Sequence, residues 1–152
     1  MKNMMGCIVG YDKIKMHGSV LRSASSEKQI ESYKVIQRNI LRLVKAVPPS
    51  LSVIDGFEAM GGDGPLSGKM VNLGVAVASS DYVAADATMS EVVGFDPMNI
   101  GHIYYADKEG LGCGDISKIE ITGRKIEDVK IKLDPHPNHN DLMKWKLSEW
   151  YP

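Results

Sequence analysis

The stretch Leu51-Ser-Val-Ile-Asp-Gly-Phe-Glu-Ala-Met-Gly-Gly-Asp-Gly-Pro-Leu-Ser-Gly68 decides how this chain is read. Leu51 to Ile54 is a short apolar run and reads as a buried strand. It ends at Asp55-Gly56. Behind it, Gly61, Gly62 and Gly64 fall within one short run, with Asp63 between them, Pro65 behind and Gly68 closing. Glycine accepts positive φ and lets the backbone approach another group closely. The stretch is therefore either a tight chain crossing or a loop that wraps a ligand.

Downstream, Val71 to Ala78 reads as a second buried strand, and Gly74 inside it suggests close approach of a neighbour. Ser79, Ser80 and Asp81 offer a helix cap. A helix is expected from Tyr82 to Val93, stopping at Gly94. Asp96-Pro97 opens another, which reaches Lys108 or Glu109 and ends at Gly110. Gly110 to Gly114 is a second glycine-rich turn. Ile116 to Thr122 alternates like a half-exposed strand, and Val129 to Leu133 reads as an edge strand.

Upstream, Gly6 to Val9 is short and apolar, which suggests a strand. Lys13 to Arg22 is basic and reads as a loop. Ile30, Tyr33, Ile36, Ile40, Leu41, Leu43 and Val44 recur at helical spacing, so one amphipathic helix runs from about Glu27 to Val44. Pro48-Pro49 stops it. The order predicts an α/β class: a mixed sheet flanked by helices, forming a single domain over residues 1–133. Residues 134–152 read as an irregular polar and aromatic tail. Its Trp145, Leu147, Trp150 and Tyr151 need cover.

Bulk properties narrow the function classes. At 152 residues the chain can bury a core. A net charge of -1 gives no general attraction to nucleic acid or anionic membrane. No apolar run is long enough to span a bilayer, and the start lacks the apolar stretch of a signal peptide. Cys7 and Cys113 have no metal spacing and read as free thiols in a reducing cytoplasm. Two cysteines cannot by themselves hold an iron–sulfur cluster, which usually takes four thiolates.

Three constellations carry candidate chemistry. The glycine stretch approaches two phosphate-binding motifs and completes neither. Gly68 comes one residue late for a dinucleotide fingerprint, and Met70 stands where a P-loop needs Ser or Thr. A nest of backbone N–H groups at Gly61, Gly62 and Gly64 that holds an anion remains open, beside the plainer reading of a turn between strands. The carboxylates are second: Asp55, Glu58, Asp63, Asp81 and Asp86. Asp81 has capping as a structural role. Asp86 lies on a helix that is apolar or small nearly all round, so its charge needs a partner. Converging carboxylates would suit magnesium, calcium or manganese, with Asp55 and Asp86 as metal ligands. The histidines are third. His17 adjoins Gly18 in the basic stretch, His102 sits near Asp96, and His136 with His139 lacks a third ligand for zinc.

Several of these blocks together resemble the C-terminal part of the domain of unknown function 362 family. They are Lys2-Asn3-Met4-Met5-Gly6, His17-Gly18, Ile54-Asp55-Gly56, Met60-Gly61-Gly62-Asp63-Gly64-Pro65, Asp81-Tyr82-Val83-Ala84-Ala85-Asp86, Gly94-Phe95-Asp96-Pro97 and Gly110-Leu111-Gly112. The resemblance covers most of residues 2–123. It implies an association with iron–sulfur proteins, since some members join such a domain to a module with cysteine-ligated clusters. This sequence holds no such module. Members also usually carry a sizeable segment before the Lys-Asn block, so a fragment, a split subunit or a truncated frame is expected.

Three readings follow. In the first, the chain is a ligand- or metal-binding part of an enzyme acting on a small anionic substrate. Asp55 and Asp86 would be metal ligands or acid/base groups and His17 would assist charge neutralisation or proton transfer, while Gly61, Gly62, Asp63, Gly64 and Asp81 would shape the ligand site. In the second, it is a non-catalytic accessory domain of an electron-transfer protein, partnered by a cluster-bearing or N-terminal segment or by a second copy. In the third, it is a truncated homologue.

Overall fold

The structure is a computed structural model that describes residues 1–18 and 25–147. The chain divides into two compact units, Met1–Pro48 with Asn138–Pro152, and Pro49–Pro137. Its class is α/β, with helices and one sheet.

The first unit is organised by helix α2, Ser26–Ala46. Gln37, Ile40, Leu41 and Val44 are its buried residues, at the three- and four-residue spacing of one helix face. A 3-10 turn, Lys2–Cys7, packs on α2 and buries Met5. This replaces the strand expected at Gly6–Val9. A lone apolar run has no ladder partner here, and curling lets Met4 and Ile8 donate to the carbonyls of Met1 and Met5. The expected basic loop begins instead as a short helix, α1, Asp12–Met16. The Asn39 side chain donates to the Met16 carbonyl at 3.3 Å, and Ser32 Oγ donates to the His17 carbonyl. The remainder of that loop, from residue 19 to 24, lies outside the described residues.

The C-terminal segment returns to this unit. It was expected to be irregular, but His139–Leu142 is a helical turn and Met143–Leu147 a 3-10 turn. Asn138 Nδ2 donates to Gln29 Oε1 on α2 at 2.6 Å. Trp145 gains the cover its size demands and is only 2% exposed. Trp150 and Tyr151 lie outside the described residues.

The second unit is built on a hairpin. Strand β1 is Ser52–Asp63 and β2 is Ser67–Ser79, so both outrun the short apolar cores that announce them. They pair antiparallel, from Ser52 opposite Ser79 to Asp63 opposite Ser67. The sheet has these two strands among the described residues, and no parallel pair. The glycine stretch is thus ladder and turn, and the Gly64–Pro65 peptide in the turn is cis.

One register shift falls between Gly56 and Glu58, near Gly74 at φ +66°. Such a bulge switches the side-chain parity of a strand. Ile54 and Gly56 face inward before it, and Ala59 and Gly61 face inward after it. Helix α3, Tyr82–Val92, packs on the inward face, with Met89 against Gly56. Val83, Ala85 and Ala87 are wholly buried. After the 3-10 turn Pro97–Asn99, helix α4 spans Gly101–Lys108 and packs on α3.

Two expected strands do not form ladders. Ile116–Lys118 is a 3-10 turn, and residues 120–124 after it make no backbone–backbone hydrogen bond among the described residues. Residues Ile126–Val129 form a helical turn, α5. The segment after α5 serves α3 instead of a sheet. Ile131 and Leu133 donate their N–H groups to the carbonyls of Val92 and Val93, at 2.8 and 3.1 Å. The last carbonyls of a helix need such donors.

Candidate functional site

The most buried ion pair described in the second unit joins α3 to α4. Asp81 starts α3: its Oδ1 accepts from the N–H groups of Val83 and Ala84, at 2.8 and 2.9 Å. Small and apolar residues then bury the helix nearly all round, which leaves Asp86 in need of a partner. His102, in the first turn of α4, supplies it. His102 Nε2 lies 3.4 Å from Asp86 Oδ2, and their side chains are 13% and 15% exposed. Burial pushes the Asp86 carboxyl up, and the hydrogen bond and charge of His102 are among the influences that pull it down. The net direction is below the ordinary carboxylate value. Asp86 is therefore an ionised carboxylate at neutral pH that fixes the imidazole ring. A carboxylate holding a histidine is a common arrangement for proton transfer.

Asp81 has a second duty. Its Oδ2 accepts from the Cys113 N–H at 2.8 Å, so it also holds the Gly110–Gly114 turn. Asp107 Oδ1 accepts from Gly114 N–H at 2.9 Å. Two backbone donors of that second glycine turn, Cys113 and Gly114, are thus engaged by the chain's own carboxylates, while Gly110 and Leu111 donate to the carbonyls of Asp107 and Ala106. Asp96 caps the Pro97 turn by accepting from Met98 N–H at 2.8 Å.

Asp55 sits elsewhere. It is exposed, faces away from α3, and accepts from Phe57 N–H at 2.8 Å. Strand alternation puts Asp55 and Asp86 on opposite sides of the sheet, so the expected metal pair is not assembled. Among the described residues no three His, Cys, Asp or Glu side chains are grouped to hold a metal ion. His17 belongs to the first unit, and the other candidates to the second.

The first glycine stretch is a chain crossing. A Cβ on Gly61 would lie 3.0 Å from Asp134 N, so glycine lets that backbone pass. Gly62 donates its N–H to the Asp134 carbonyl at 2.7 Å, which occupies a donor of the expected anion nest. Gly64 is in the turn that follows. Asp63 Oδ1 meets His136 Nε2 at 3.2 Å, with both side chains more than a third exposed.

In the sequence His102 lies near Asp96 and His136 near His139. Neither true partner was visible, because each pair is made by a crossing of elements. The only local signal was Asp86 itself, a charge on a helix with no polar face.

Comparison with known proteins reaches the level of family. The chain is 28% identical over 148 residues to a thylakoid-associated protein of Synechocystis, a match covering 97% of this chain and 40% of that protein. The chain thus spans well under half the length of the curated relative it matches. No solved structure matches. The profile named "Domain of unknown function (DUF362)" matches residues 1–91, more than half of the sequence. The chain belongs to the domain of unknown function 362 family.

Proposed function

We propose that this chain is a ligand-binding part of a larger enzyme acting on a small anionic substrate, with Asp86 and His102 as its acid/base pair. The observation that carries the reading is the half-buried 3.4 Å contact between them across two packed helices. A shielded carboxylate holds the imidazole in one orientation, and a protonated imidazole attracts anions. The 40% coverage of the relative supports the view that other parts of the site come from elsewhere in the polypeptide. A cytoplasmic location belongs to this proposal; no described helix is long and apolar enough to cross a membrane.

Calorimetric titration of a panel of phosphate and small carboxylates tests it, on the wild type, Asp86→Asn and His102→Gln. Circular dichroism checks that each variant is folded. Binding by the wild type that falls at least about tenfold in both variants is expected. Folded variants that bind as the wild type does, or a wild type that binds none of the panel, overturn the assignment.

A second reading has its own observation. Leu51, Val53, Phe57, Met60 and Met70 are large apolar residues that stand exposed on or beside the hairpin. Such a row suits an accessory domain that assembles with a partner, including a cluster-bearing one. Copurification with a defined partner and no small-anion binding would favour it.

A further inference from the structure

A groove of about 410 Å³ runs along the edge of β2. One wall is residues 74–79 of that strand, and the opposite wall is residues 119–124. Six consecutive residues line each wall. Successive strand side chains point to opposite faces, so consecutive lining residues mean that the groove meets the strand edge-on. Ala84, Ala85 and Thr88 of α3 are among the small residues beneath.

Both walls carry unused backbone groups. β1 covers one edge of β2, and no strand among the described residues covers the other. Residues 120–124 make no backbone–backbone hydrogen bond among the described residues. Yet Ile119-Glu-Ile-Thr122 alternates as a strand does, and Ile119 has extended angles of φ -89° and ψ 120°. This is a strand-patterned segment with no ladder, facing an open strand edge across a groove. A two-stranded hairpin is also marginal by itself, and three or more strands are the usual minimum.

We propose that this groove receives an extended segment of polypeptide, which pairs with β2 on one side and with residues 119–124 on the other. The occupant is a strand from the part of the family polypeptide outside this chain. The relative's unmatched length, 60% of that protein by difference from the 40% covered, is its source. Its chemistry follows from the walls: alternating residues, small or apolar toward α3, and no proline at ladder positions. The inserted strand turns the hairpin into part of a wider sheet and does not depend on the acid/base pair.

The test uses the full 152-residue chain and overlapping synthetic peptides of about 12 residues, a length that spans an ordinary strand, tiled over the unmatched part of the Synechocystis relative. Fluorescence anisotropy reads binding, and hydrogen exchange reads protection. One peptide, or a few that overlap, is expected to bind and to slow exchange at residues 74–79 and 119–124. Ile121→Pro is expected to weaken that binding at least about tenfold, because it removes a ladder donor. Its N–H makes no backbone hydrogen bond among the described residues, so the fold is kept, and unchanged circular dichroism checks this. Val53→Ser, on the outward face, is expected to leave binding unchanged. No binding peptide, protection confined to other residues, or equal binding by Ile121→Pro overturns the proposal. Concentration-dependent protection of the same residues without peptide also overturns it, by making a second copy the occupant.

Discussion

Asp81 holds two elements with one carboxylate. Its Oδ1 caps α3, while its Oδ2 accepts the Cys113 N–H at 2.8 Å. Gly112 completes the arrangement. A Cβ there would lie 2.2 Å from Asp81 Oδ1 and 2.8 Å from the Val83 side chain. Asp81→Ala should therefore cost about 2–4 kcal/mol, the sum of a cap and a further charge-assisted hydrogen bond. Gly112→Ala should cost about 1–3 kcal/mol by overpacking. The double variant should lose less than the sum, because the clash at Gly112 is partly with the carboxylate that is removed. Urea denaturation measures all three. Strict additivity would remove the link between the two residues.

Asp86 predicts an acid-dependent stability. Its folded pKa lies below the ordinary 3.8, so the folded state favours the ionised form. A carboxylate lowered on folding contributes stability above its unfolded pKa and loses it as pH falls through the folded value. The stability gap between wild type and Asp86→Asn should shrink between about pH 5 and pH 2. Denaturation at a series of pH values reads this. A gap that widens on acidification would mean that Asp86 is held protonated.

Gly94 is constrained twice. Its φ is +85°, and a Cβ would come within 2.9 Å of the Ile131 carbonyl oxygen. The crowding backbone is the same segment that gives its N–H groups to Val92 and Val93. Gly94→Ala should cost about 1–3 kcal/mol and speed hydrogen exchange at Ile131 and Leu133. Loss of stability without faster exchange there would assign the effect to local strain alone.

The outward apolar row should tolerate polarity. Val53 and Phe57 are 66% and 63% exposed. Phe57→Ser and Val53→Thr should change stability by no more than about 0.5 kcal/mol. Both should lower binding of a hydrophobic dye. A large loss of stability would show that the row is covered in solution.

Local physics made much of this chain legible from its residues. The apolar stripe of Ile40, Leu41 and Val44 needs only a 3.6-residue period, and α2 follows it, while the burial of the polar Gln37 beside it was not legible. The start of α3 needs only an acceptor at Asp81, and α4 is followed by Gly110 at φ +69°. The two central strands were visible as apolar runs, though not their direction or full length. Those features are decided within a few residues of chain, where sequence carries the information.

Tertiary structure decided everything that depends on a partner. Ile116–Thr122 and Val129–Leu133 both have strand patterns. The first finds no ladder, and the second gives its N–H groups to the end of α3. The glycines at 61 and 62 serve a crossing with Asp134, which lies far along the chain. Asp55 and Asp86 looked like one site and are parted by the alternation of β1. Asp86 and His102 looked unrelated and meet because α3 packs on α4. A strand's hydrogen bonds and a buried charge's counter-group come from elsewhere in the fold, so no local pattern can name them.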